Sequence, residues 1–229
     1  MNAVLKEIAT CYKDGCKEPC IAGNGRGIAT CDTHSKSPDW HKASDGYAEL
    51  LVGCGNARKK AVSFDRIDKE FANLTTLDID PSTKADVVWD LNVLPLPFAD
   101  NSFDEIHAYE VLEHCGRQGD WKFFLDQFGK FWRILKPGGY FIATCPMWDS
   151  PWAWGDPGHT RVITKNSLIF LNREEYQQIG DTAMTDYRPW LTCDFETIAV
   201  DEAEHRMAFV LRARKCALQF SNSTSWTTR

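Results

Sequence analysis

The chain has 229 residues, 43% of them hydrophobic, and a formal net charge of −6 at pH 7. That length fills one good core and crowds two. The acidic balance argues against broad electrostatic attachment to nucleic acid. No apolar run approaches the ~18 residues needed to cross a bilayer, and no basic-then-apolar leader opens the sequence, so a cytoplasmic protein without membrane contact is expected.

Nine cysteines are many for such a chain, and without a leader disulfides are not their natural reading. Four of them, Cys11, Cys16, Cys20 and Cys31, crowd into the first segment together with His34. Cys11-x4-Cys16 followed by Cys31-x2-His34 supplies two ligand pairs. Such a set suits a tetrahedral Zn2+ held by three thiolates and one imidazole, with Cys20 as a rival ligand. The pattern resembles a small zinc-binding module often seen beside nuclease and DNA-binding domains. Residues 1–45 have almost no apolar core of their own and need such a staple to be ordered. Their charges balance, so the segment reads either as a structural cap or as a nucleic-acid contact through Lys17 and Arg26. The turn-rich stretch from Ser37-Pro38-Asp39 to Asp45-Gly46 reads as a linker.

Three short apolar runs follow, each ending in glycines or an acid: Leu50-Leu51-Val52-Gly53-Cys54-Gly55-Asn56, Leu77-Asp78-Ile79-Asp80-Pro81 and Asp86-Val87-Val88-Trp89-Asp90. Buried parallel strands read this way when their carboxyl ends open into a ligand crevice. Gly53 and Gly55 permit a sharp turn and close backbone approach to a ligand, with a helix expected from about Ala57 pointing its positive end there. Asp78, about 20 residues on, is placed to accept both hydroxyls of a ribose. Asp90 is placed to take the exocyclic amine of an adenine.

These runs, with Leu94-Pro95-Leu96-Pro97-Phe98, Val111-Leu112-Glu113-His114 and Leu135-Lys136-Pro137-Gly138-Gly139 in the same order, resemble the class I S-adenosylmethionine-dependent methyltransferases from about Ala48 to Cys145. The resemblance implies an α/β fold: a doubly wound, Rossmann-like sheet of seven strands in the order 3-2-1-4-5-7-6 with the last strand antiparallel. It also implies that Gly53, Cys54, Gly55 and Asn56 hold the methionine end of the cofactor, Asp78 and Ile79 the ribose side, and Asp90 with Leu91 the adenine. Tyr109 and Glu110 would lie beside the methyl group.

Phe103 to Tyr109 reads as the fourth strand. A helix starting at Asp120 carries Trp121, Phe124, Phe128, Phe131, Trp132 and Leu135 at three- and four-residue steps, an apolar stripe of core residues. Lys136-Pro137-Gly138-Gly139 is expected to stop that helix and turn the chain into a fifth strand, Tyr140 to Cys145. Asp194–Val200 and His205–Ala213 read as a closing hairpin. The domain is thus expected over residues 46–220, with a polar tail at 221–229. Cys54, Cys115, Cys145 and Cys193 read as small buried hydrophobes.

Between the fifth strand and the hairpin, residues 146–161 hold Trp148, Trp152 and Trp154 among prolines and glycines. Aromatics in such a loop suit either a lid over a planar acceptor or a cover for the sheet edge. Methyl transfer requires mainly alignment of donor and acceptor. A general base matters where the acceptor must lose a proton, and Glu110, His114 and His159 are the candidates. The Asn/Asp-Pro-Pro-Tyr/Phe motif of amino-methylating DNA enzymes is absent from this sequence. The function expected is therefore methyl transfer to a small molecule or base-like acceptor. A catalytically silent binding or scaffold protein on the same fold is the alternative. A nicotinamide oxidoreductase fits less well, because Arg58 stands where the third glycine of its fingerprint belongs.

Overall fold

Residues 46–62 and 69–215 are described by the computed structural model, together with the backbone of two short strands, Ile8–Thr10 and Pro19–Ile21. The chain divides into two compact units, Met1–Ser37 with Lys215–Arg229 and Pro38–Arg214. In the first, the two short strands pair antiparallel with Cys20 opposite Ala9. The expected zinc ligands Cys11, Cys16, Cys31 and His34 lie outside the described residues, as does the tail.

In the second unit, Glu49–Val52 forms strand β1, buried along its whole length as the apolar run requires. Leu74–Asp78 is β2, Val87–Val88 β3, Phe103–Tyr109 β4, Leu135–Pro146 β5, Phe195–Ala203 β6 and Arg206–Ala213 β7. They form one sheet in the order β3-β2-β1-β4-β5-β7-β6. Every neighbour pair from β3 to β5 is parallel, and β7 runs antiparallel to both β5 and β6. This is the expected 3-2-1-4-5-7-6 sheet. Because β1 connects outward to β2 on one side and has β4 on the other, the sheet reverses direction between β1 and β4, where open α/β sheets bind ligands.

One face of the sheet carries the core. Leu50, Val52, Ile106, Ala108 and Phe141 are buried against Leu125, Phe128, Phe131 and Ile134 of helix α1, Trp121–Ile134. The helix starts where the Asp120 carboxylate accepts the Phe123 N–H at 3.1 Å, so the aromatic stripe is core as expected. Its end differs from expectation. The chain becomes extended at Leu135, which already pairs with Phe103, and Lys136 to Gly139 form an irregularity inside β5 rather than a turn before it. Gly138 at φ +78° makes that bend, and a Cβ on Gly139 would fall 2.8 Å from the Asp104 carbonyl oxygen, so glycines allow the ladder to resume without a separate loop.

The other face is polar at its centre. Lys60 donates to Glu49 at 2.5 Å and to Glu105 at 2.7 Å, with all three side chains 1% exposed. Tyr47 donates to Glu105 at 2.6 Å, His107 Nε2 lies 2.8 Å from the same carboxylate, and His107 Nδ1 lies 2.6 Å from the Tyr109 hydroxyl. Burial holds His107 below the ordinary imidazole value, against the opposing pull of the Glu105 carboxylate. Burial raises Glu105, but the hydrogen bond and charge of His107, with hydrogen bonds from Lys60 and Tyr47, outweigh it and hold the carboxyl at about 2.

This network bears on the helix expected from Ala57. Among the described residues no helix follows β1: residues 57–62 run in irregular conformation. Lys60 is drawn into the Glu49–Glu105 site, and Arg58 donates to the carbonyls of Gly55, Ala57 and Thr83 at 2.8, 3.1 and 3.0 Å. Those side-chain donors satisfy loop carbonyls that a helix would otherwise engage. The third strand is likewise shorter than Asp86–Asp90. Asp86 instead accepts the Thr76 N–H at 2.8 Å and its hydroxyl at 2.7 Å.

The four cysteines of this unit are free and buried, and burial raises the Cys193 thiol to about 12, as packing residues behave. Among the described residues, no helix is long and apolar enough to cross a membrane.

Candidate active site

At the carboxyl ends of β1 and β2 the sheet opens into a cleft of about 380 Å³, lined by Gly53, Gly55, Leu77, Asp78, Ile79, Trp89, Asp90, Leu91, Asn92, Val111, His114 and Cys115. Seven residues expected at a cofactor site or beside it are thus brought together: Gly53, Gly55, Asp78, Ile79, Asp90, Leu91 and His114. They come from separate strands and loops, and the turn after β1 holds them in register.

Gly53 and Gly55 have φ +61° and +49°. A Cβ on Gly53 would lie 2.3 Å from Val111 Cγ2, so glycine lets the Val111 loop close over the turn. The turn does not, however, offer the row of free N–H groups expected of a cradle. The Cys54 N–H donates to Leu77 O at 3.2 Å, the Ala57 N–H to Cys54 O at 3.1 Å, and the Gly55 N–H to Asp78 Oδ2 at 2.8 Å. Asp78 Oδ1 also accepts the Asp80 N–H at 2.9 Å. Asp78 is therefore fixed by two backbone donors at 8% exposure, and each oxygen retains a lone pair toward the cleft. Ile79 beside it is 63% exposed and Leu91 is buried. Asp90 does not sit on a strand; its Oδ1 accepts from the Asn92 N–H and side-chain amide at 2.8 and 2.9 Å, while Asn92 Oδ1 accepts the Gly116 N–H at 2.7 Å.

Cys54, Asn56, Tyr109 and Glu110 do not line this cleft. Tyr109 points to the polar face through its bond to His107 and packs there with Val62, Ile142 and Val210. Successive strand residues face opposite sides, and Ala108 takes the core side. Burial holds the Tyr109 phenol well above its ordinary value. Glu110, just past β4, is exposed with φ +49°, an uncommon conformation for a side-chain-bearing residue; its N–H donates to Thr144 O at 3.0 Å.

The candidate bases His114 and His159 do meet. Their rings stand edge to face with centroids 4.6 Å apart, and His114 Nδ1 lies 3.1 Å from the Gly158 carbonyl, making Nδ1 the donor. Beside them is Glu113, which sequence reasoning did not single out. It is 2% exposed, and among the described residues neither carboxylate oxygen has a hydrogen-bond partner. Burial raises its carboxyl to about 8, with the charges of Glu110 and Asp156 adding and Arg161 opposing. Arg161 is buried, donates through Nε to Leu112 O at 2.9 Å and through Nη2 to Gln127, and is lowered to about 10 by burial. The only trace of this group in the chain is the pair Glu113-His114 and the distant His159; nothing in the spacing shows that the carboxylate turns inward. Trp148, Trp152 and Trp154 stand 56%, 64% and 68% exposed, so they do not cover the sheet edge.

Residues 50–143 match the family model described as a methyltransferase domain. A curated relative, 24-methylenesterol C-methyltransferase 2 of Oryza sativa subsp. japonica, is 25% identical over 204 residues, covering 76% of this chain and 54% of its own length. The chain thus spans about half the length of the curated relative it matches. Among solved structures, a putative methyltransferase in complex with the Haloferax volcanii Trm112 methyltransferase activator aligns at 15% identity over 74% of this chain and 84% of that one, with a TM-score of 0.45. The N-methyltransferase NodS from Bradyrhizobium japonicum, solved with S-adenosyl-l-homocysteine, aligns at 15% identity over 74% and 79%, with a TM-score of 0.42. The match to the methyltransferase-domain family thus spans β1 to β5 of the seven-stranded sheet.

Proposed function

We propose that the second unit binds S-adenosylmethionine in the cleft at the carboxyl ends of β1 and β2 and transfers its methyl group to a small-molecule or base-like acceptor. The observation that carries this reading is Asp78, a carboxylate held by two N–H donors at the end of β2 with its remaining lone pairs in a cleft of about 380 Å³, a size that suits a nucleoside-sized ligand. Asp78 would accept the ribose hydroxyls, Ile79 and Leu91 would flank the adenine, and Asp90 would take its amine. Gly53 and Gly55 would admit the methionine end, with Cys54 and Asn56 shaping the turn from behind.

The bound cofactor supplies a methyl group already activated by its sulfonium charge. The chain has then to bind, to align the acceptor and to exclude water. His114 lines the cleft with His159 packed against its ring, and these two, with Glu110 just past β4, would serve as proton acceptors for an acceptor that must be deprotonated. The exposed Trp148, Trp152 and Trp154 offer flat faces for a planar acceptor.

Calorimetric titration with S-adenosylmethionine, S-adenosylhomocysteine and NAD tests the reading. Micromolar binding of the first two and none of the third is expected. Binding of NAD alone would move the assignment to hydride transfer, and binding of none would favour a silent scaffold.

A further inference from the structure

We propose that Glu113, His114 and His159 form a binding site for one divalent transition-metal cation at the edge of the cleft. Each residue offers a ligand atom, and these atoms all lie within 4.8 Å of one another. Bonds of about 2.1 Å to one ion bring ligand atoms to roughly 3 Å apart, so the three side chains need rotate only modestly to converge.

A second, independent observation concerns unsatisfied atoms. Buried polar atoms are nearly always hydrogen-bonded, yet both Glu113 oxygens and His159 Nδ1 are buried without a partner among the described residues. The nearby Arg161 donates through Nε and Nη2 to Leu112 O and Gln127, and among the described residues its buried Nη1 makes no hydrogen bond to Glu113 or His159. Both Glu113 oxygens and His159 Nδ1 thus stay unpartnered within one group of side chains whose ligand atoms lie close together. A cation satisfies such a set, whereas a further hydrogen bond would satisfy only one member.

His114 is oriented as a ligand. With its Nδ1–H given to the Gly158 carbonyl, its Nε2 lone pair is free, the arrangement usual in metal-bound histidine. Gly158 permits that approach, since a Cβ there would lie 3.3 Å from His114 Nδ1.

The other grouping of this kind, Glu49, Glu105 and His107, carries no such inference. The Lys60 ammonium already lies 2.5 and 2.7 Å from its two carboxylates and neutralises them. Among the described residues no ion pair joins a cationic side chain to Glu113, although the Arg161 charge acts on it from nearby.

The donor set fixes the class of ion. Two imidazoles and one carboxylate suit Mn2+, Fe2+, Co2+, Ni2+ or Zn2+ in preference to Ca2+ or Mg2+ with their all-oxygen shells. Three protein ligands leave open positions, and because His114 lines the cleft those positions face the space where an oxygen-bearing ligand could enter.

Mn2+ is the probe of choice, since thiolates of the cysteine-rich segment hold it poorly. Titration of the full chain followed by loss of the free-ion electron paramagnetic resonance signal should show one Mn2+ per chain. Glu113→Gln and His159→Ala should each weaken binding by about tenfold or more, and His205→Ala, at an exposed histidine outside the site, should not. Should the buried Glu113 variant fail to fold, His114→Ala, at an exposed position, decides. No Mn2+ binding, or equal binding by the parent and every site variant, would overturn the proposal. The readout requires neither cofactor nor turnover, so it can fail while S-adenosylmethionine still binds, and succeed where it does not.

Discussion

Two residues at the cleft show how much single atoms decide. Asp78 is held rigid by the N–H groups of Gly55 and Asp80, so its replacement should affect binding more than folding. Asp78→Ala is expected to weaken S-adenosylmethionine binding by about tenfold to a hundredfold, the cost of losing hydrogen bonds to a charged group, measured by titration with the melting temperature as control. Equal affinity would remove the ribose assignment. At Gly53 the constraint is steric. Gly53→Ala places a methyl 2.3 Å from Val111 at a positive φ and should destabilise by about 2 kcal/mol, read from urea unfolding. Val111→Ala in the same chain should recover part of that loss but leave the backbone strain. Both residues stand out in their motifs and both line the cleft, but the Val111 contact was not legible, because it joins positions more than fifty residues apart.

At the level of elements, α1 and its surroundings carry the core. The helix is legible because its aromatic residues recur at helical steps and Asp120 stands at its start. Asp120→Ala removes the acceptor of the Phe123 N–H and should cost about 1 kcal/mol in chemical denaturation, with the fold unchanged by circular dichroism. No change would mean that water caps the helix equally well. The irregular stretch at residues 57–62 has the opposite lesson. Gly-Cys-Gly followed by Arg-Lys-Lys fits a helix start by pattern, but Arg58 and Lys60 make longer-range bonds, to Thr83 and to Glu49 and Glu105. A buried ion pair with geometry this close outweighs helix propensities of a few tenths of a kcal/mol per residue.

The polar network on the second face of the sheet ties β1, β4 and the loop after β1 into one body, and its stability depends on pH. Glu105 falls from its ordinary value of 4.5 to about 2 in the folded protein. A depressed carboxyl stabilises the fold at pH values above its unfolded pKa and loses that contribution as pH falls through the folded one. The window is therefore from about pH 4.5 down to about 2, and its full size is on the order of 3 kcal/mol. Glu105→Gln should be less stable than the parent at pH 7 by about 3 kcal/mol and should show a flatter stability curve below pH 4.5. A variant with the same acid slope as the parent would show that Glu105 does not govern this limb.

The sequence by itself determined the strands, the hairpin and the glycines and acids at the strand ends, because these follow from local patterns of apolar runs, helical spacing and turn residues, while the strand order came from the resemblance those motifs carry. Only the tertiary structure decided which way the side chains of the fourth strand and of the residues after it point. Tyr109 turns to the polar face while Glu113 turns inward beside His114 and His159, since strand alternation, the left-handed backbone at Glu110 and the return of the chain at Gly158 act together. Such groupings join residues distant along the chain through backbone geometry, and periodicity carries no record of them.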